Sequence, residues 1–107
     1  MTETDLVTSI GDSLTQVDTL LMSGNPPSDS AAWQQLFAMR KHLDDQQRSL
    51  VQQTIEADDD QFQAVAAPLQ AATKALDSQI AQQATIDTVI NTVAQISTYA
   101  DQILKFI

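Results

Sequence analysis

Residues 76–93 read LDSQIAQQATIDTVINTV, and the path of the chain through them decides the fold. Before this stretch, Phe62, Val65, Leu69, Ala72 and Leu76 recur every three or four residues. That is the spacing of one face of an α-helix. After it, Ile86, Ile90, Val93, Ser97, Ala100, Leu104 and Ile107 keep the same phase, and Val89, Ile96 and Ile103 form a flanking line. Gln79 and Gln83 occupy the seam in between. Two polar residues in an apolar seam can fix the register of packed helices. They can also mark an end, with Thr85 as the N-cap of a new helix. The unbroken phase favours continuity. The expectation is one long, coiled-coil-like helix over about 60–106, with a break near 82–86 as the alternative.

The choice has a geometric consequence. At about 1.5 Å per residue, the unbroken helix runs about 65–70 Å, against about 30 Å for a helix over 3–22 and about 42 Å for one over 29–56. One end of the long helix then lacks cover within the chain. Its stripe of Ile86, Val89, Val93, Ile96 and Ile103 would need another copy or a partner. With the break, four helices of similar length cover one another.

The rest of the chain supports an all-α reading. Thr2 and Asp5 have capping-box spacing, and Val7, Ile10, Leu14, Val17 and Leu21 make one apolar stripe. Gly11 inside that helix costs about 1 kcal/mol against Ala and marks a candidate close approach. SGNPPSDS, residues 23–30, is the strongest loop: Gly24 suits a helix C-terminus and the paired prolines force an extended passage. One of Ser28, Asp29 and Ser30 caps the next helix, expected over 29–56. It carries Trp33, Leu36, Phe37, Leu43, Leu50, Val51 and Ile55, with Leu36, Leu43 and Leu50 at seven-residue spacing. Asp44 and Asp45 stand four residues after Arg40 and Lys41, the spacing of local ion pairs. In EADDDQFQ, residues 56–63, Asp58 is the expected N-cap of the following helix. Pro68 should kink that helix or begin it. No stretch alternates with period two. The expected fold is a single-domain antiparallel helical bundle of three to four helices spanning 1–107.

Composition narrows function more than it names it. The 107 residues are 43% apolar but only 5% aromatic, so the core must be mostly Leu, Ile, Val and Ala. A net charge of −9 disfavours nucleic acid and anionic membranes and suits a basic protein partner. The absence of Cys leaves no disulfide framework and fits a reducing compartment. No basic-then-apolar leader opens the sequence, so a cytoplasmic location is expected, with export lacking a signal left open. Asp87, Asp101 and Lys105 interrupt the last apolar stretch, and each would cost about 3 kcal/mol at a bilayer centre.

No catalytic chemistry is assembled. His42 is the only histidine and has no partner pattern for a relay or a metal site. Asp58, Asp59 and Asp60 lack the spacing of a calcium loop. No catalytic, cofactor or metal residues are expected, and the chain reads as no enzyme. It reads as a protein–protein interaction module of the kind served by acidic adaptors, secretion chaperones and immunity or antitoxin proteins, with self-association also open. Trp33 and Phe37 share a helix face; they are expected in the core and would anchor an interface if partly exposed. Glu56, Asp58, Asp59 and Asp60 would steer a basic partner. The alternatives are an exported or membrane-associating component using its C-terminal amphipathic helix and, behind it, an acidic mimic of nucleic acid.

Aspartate at Val93 or Ile96 separates the two arrangements of the last segment. If the seam is internal, Val93→Asp and Ile96→Asp abolish the helical circular-dichroism signal; if it is intermolecular, light scattering shows a folded monomer.

Overall fold

The computed structural model describes residues 3–24, 27–52 and 60–105. Among these residues there are four helices and no strand: α1 (Glu3–Met22), α2 (Ala31–Val51), α3 (Asp60–Ala81) and α4 (Ile86–Lys105). Their lengths are 20, 21, 22 and 20 residues.

The local rules act where the sequence put them. Leu6, Ile10, Leu14, Val17 and Leu21 of α1 are buried. Leu6 takes the first core position, and Val7, the expected one, is only partly buried beside it. Gly24 follows α1 with φ +84°, the left-handed conformation in which a side chain is strained. Ser30 is the cap of α2: its Oγ accepts from the Trp33 N–H at 3.1 Å. Leu36, Leu43 and Leu50 are fully buried. The helix ends at Val51 rather than 56, with Gln52 as its C-cap. Thr2, Ile55 and the Asp58 cap lie outside the described residues. Pro68 lies inside α3 and does not start it. The carbonyl it leaves without its usual helical donor belongs to Ala64, which is exposed, so water can reach it.

The single helix expected over 60–106 is two. The Ala84 N–H bonds the Gln79 carbonyl at 2.8 Å and the Gln83 N–H bonds the Ile80 carbonyl at 3.2 Å. Gln83 between them has φ 57°. These two bonds around a left-handed residue are a Schellman closure, normally built on Gly. Thr85 then restarts the chain: its Oγ1 accepts from the Thr88 N–H at 3.4 Å, and its carbonyl accepts from the Val89 N–H at 3.2 Å. Gln79, on the seam, accepts from Thr92 Oγ1 at 2.8 Å and ties the two arms together.

Side-chain bonds give the directions. Trp33 at the start of α2 reaches Leu21 at the end of α1, and Gln47 near the end of α2 reaches Val7, so α1 and α2 are antiparallel. The Gln79–Thr92 bond makes α3 and α4 an antiparallel hairpin. Gln46 contacts Ser97 and Asp101, so α2 and α4 run together. The ends of α1 and α3 share one cleft, so they too run together. Each of α1 and α4 packs against both α2 and α3; α1 lies across the core from α4, and α2 from α3. The body measures 42 × 23 × 17 Å.

This packing answers what covers the apolar edge of 86–105. Val89, Val93, Ile96, Ala100 and Ile103 are buried in the core shared by all four helices. Ile86 and Leu104, expected on the central line, are only partly buried. Once the chain reverses, α4 sets its own rotation, and the flanking line of Val89, Ile96 and Ile103 turns inward. The seam is internal, which selects the unfolding outcome for Val93→Asp.

A left-handed non-glycine residue costs about 1–2 kcal/mol. Gln83→Gly is therefore expected to stabilise the protein by about 1 kcal/mol in urea unfolding; an unchanged midpoint would mean that the reversal does not use this backbone conformation.

Candidate functional site

The α1–α2 face carries the exposed features that the core does not use. Trp33, Phe37 and Lys41 stand one turn apart along α2, so each meets the next. The Trp33 and Phe37 rings stack with centroids 5.2 Å apart and planes 8° from parallel. The Lys41 Nζ sits 5.6 Å from the Phe37 centroid, over the ring face. Trp33 is partly buried, and its Nε1–H donates to the Leu21 carbonyl at 2.9 Å. That carbonyl belongs to the last turn of α1, where helical donors run out. One indole thus closes α1 and orients the ladder. Phe37 remains 41% exposed, and Met22, next to Leu21, is 85% exposed.

Ion pairs hold the same face. Arg40 donates from Nε to Asp18 Oδ1 at 2.8 Å and from Nη2 to Asp18 Oδ2 at 3.2 Å, a bidentate bridge between helices. The hydrogen bond it donates to Asp18 holds the guanidinium above its ordinary pKa, outweighing burial. Arg48 pairs with Asp44 at 3.2 Å. The local pairing expected from Arg40 to Asp44 is therefore replaced by a contact with α1, and Lys41 lies on a ring. Further along, Gln47 Nε2 donates to the Val7 carbonyl at 3.0 Å. A Cβ at Gly11 would stand 3.1 Å from that nitrogen, so Gly11 does mark a close approach.

On the opposite flank of α2 lies a polar network that sequence reasoning missed. Gln46 is 3% exposed. Its Nε2 donates to the Ser97 carbonyl at 2.9 Å and to Asp101 Oδ1 at 2.8 Å, and its Oε1 accepts from Ser97 Oγ at 3.0 Å. The available signal was a polar residue among the heptad leucines, between Leu43 and Leu50. A shallow groove of about 390 Å³ beside it is lined by Met39, His42 and Ala94. A second cleft, of about 570 Å³, opens where α1 and α3 end and α4 begins. The hydroxyls at its rim are engaged within the chain: Thr19 with Thr15, Ser23 with Leu20, Thr85 with Thr88.

The residues singled out from sequence are divided by the fold. Trp33 and Phe37 come together. Asp60 is exposed at the start of α3, at the far end of the bundle from them. Glu56, Asp58 and Asp59 lie outside the described residues. Ile86 lines the larger cleft. Val89, Val93, Ile96 and Ile103 are core, and in this fold they offer no surface to a partner. Among the described residues, no group of His, Cys, Asp or Glu is placed to hold a metal ion, and no helix is long and apolar enough to cross a membrane. Comparison with protein-family models, with curated proteins and with solved structures found no match to this chain.

Proposed function

We propose that the protein is a non-enzymatic interaction module that docks a protein partner of net basic character on its α1–α2 face, with Phe37 as the central anchor. One observation carries this reading: Phe37 is left exposed beside a core that is already complete without it, and it is held in place by its stack on a hydrogen-bonded Trp33. A side chain fixed before binding loses little freedom on docking. Aromatic residues and Met are the types that interface centres favour, and Met22 adjoins the ladder.

Charge supports the choice of partner. The sequence of α1 holds Glu3, Asp5, Asp12 and Asp18 and no basic residue. With −9 overall, the chain draws a basic protein at long range and raises its encounter rate. An adaptor, a secretion chaperone and an immunity or antitoxin protein would each use such a face. A membrane role for α4 has less support, because that helix would have to leave the bundle to present its apolar side.

Phe37→Asp tests the docking face. The variant is expected to stay folded by circular dichroism and to lose about 1 kcal/mol of stability, the worth of an aromatic pair with its cation contact. In affinity capture from host extract read by mass spectrometry, it should lose partners that the unaltered protein retains. Capture of the same proteins at the same yield would remove the face from the account.

A further inference from the structure

We infer that the Phe37 ring face is a docking point for a cationic side chain, Lys or Arg, of a basic partner peptide, and that Lys41 is its internal stand-in. The inference rests on the docking face proposed above and specifies what the face recognises. Three observations point to it.

The first is geometric. At 5.6 Å from the centroid, the Lys41 ammonium lies where a cation is held by a ring. The site therefore accepts an ammonium within this protein. Lys41 is itself exposed and has no carboxylate among its ion pairs in the described residues, so release into water breaks only the ring contact. The second is the layout of the ladder. Trp33 covers the ring from the preceding turn and Lys41 from the following one. A partner reaches the ring face most directly by displacing Lys41, and the group that replaces it without loss is another cation.

The third is charge. Asp44 and Asp45 follow Lys41 by three and four residues on α2, and Asp18 on α1 is bridged to Arg40, the residue before Lys41. Asp18 and Asp44 are each engaged by an arginine, while Asp45 is exposed. A Lys41 displaced from the ring stands four residues before Asp45 on the same helix, the spacing at which the two can pair. An acidic partner would gain Lys41 and Arg48 but would approach a chain of net charge −9.

Trp33 is the only tryptophan and stacks on Phe37, so its fluorescence reports on the site. The full chain is titrated with a short synthetic peptide of alternating Arg and Gly, and with the same peptide carrying Glu for Arg. Lys41→Gln and Phe37→Leu are titrated alongside, each checked for fold by circular dichroism. The Arg peptide should bind and the Glu peptide should not. Lys41→Gln, which removes the competitor, should bind the Arg peptide about two- to fivefold more tightly, and Phe37→Leu should weaken it by a similar factor. The inference is overturned if neither peptide binds, if the Glu peptide binds instead, or if Lys41→Gln fails to tighten binding. Equal affinity of Phe37→Leu and the unaltered chain would reveal diffuse charge attraction without use of the ring, which also overturns it. If Phe37→Asp abolishes partner capture while the Arg peptide ignores Lys41, the docking face stands and only the cation exchange falls.

Discussion

The 2.8 Å hydrogen bond from the Ala84 N–H to the Gln79 carbonyl is the constraint on which the rest of the structure depends. It forces Gln83 into the left-handed region and turns the chain back on itself. The reversal divides a long apolar segment into arms of 22 and 20 residues, matched to the 20 and 21 of the first two helices. Matched lengths let each helix cover its neighbours from end to end. The apolar edge of α4 is then sheltered by the same chain, and Val93 and Ile96 become fully buried. Thr85 and the Gln79–Thr92 bond support the reversal from both sides.

α2 organises the remainder by one repeated interval. Leu36, Leu43 and Leu50 enter the core at steps of seven residues. Trp33, Arg40 and Gln47 follow the same step, and each reaches across to α1: to the Leu21 carbonyl, the Asp18 carboxylate and the Val7 carbonyl. Gln46 reaches the other way, to α4. The result is a helix clamped on both flanks while its outward side, with Phe37 and Lys41, stays open. A fixed α1–α2 pair presenting a pre-ordered ring is suited to docking, and of the α1 carboxylates Asp18, bridged to Arg40, stands at the level of the ladder.

Much of the fold was legible because its signals are local. The α1 stripe, the leucine heptad, Gly24 after α1 and the Ser30 cap each depend on residues within a few turns. The break was harder to read. Gln83 gives no residue-type signal for a left-handed position, where Gly would have announced it, and the apolar phase crosses the gap undisturbed. Leu6 and Val7 are adjacent and both apolar, so the choice of core residue depended on how α2 approaches. The Gln46 network depends on Ser97, 51 residues away, and no spacing within α2 specifies such a partner. Phe37 was legible as a ring on a helix face, but its exposure was not, because an aromatic residue has the same pattern in a core and at a docking site. The acidic cluster was legible as sequence, yet the fold puts Asp60 at the opposite end from the aromatic ladder.

The most direct test of the central claim is a distance across the reversal. The chain contains no cysteine, so Ala64→Cys and Gln102→Cys, both at exposed positions, take spin labels at those sites alone. Pulsed electron–electron double resonance should give a separation under about 30 Å, as expected for labels on neighbouring antiparallel helices about 10 Å apart. A continuous helix from α3 into α4 would place them about 57 Å apart, and that distance would contradict the account.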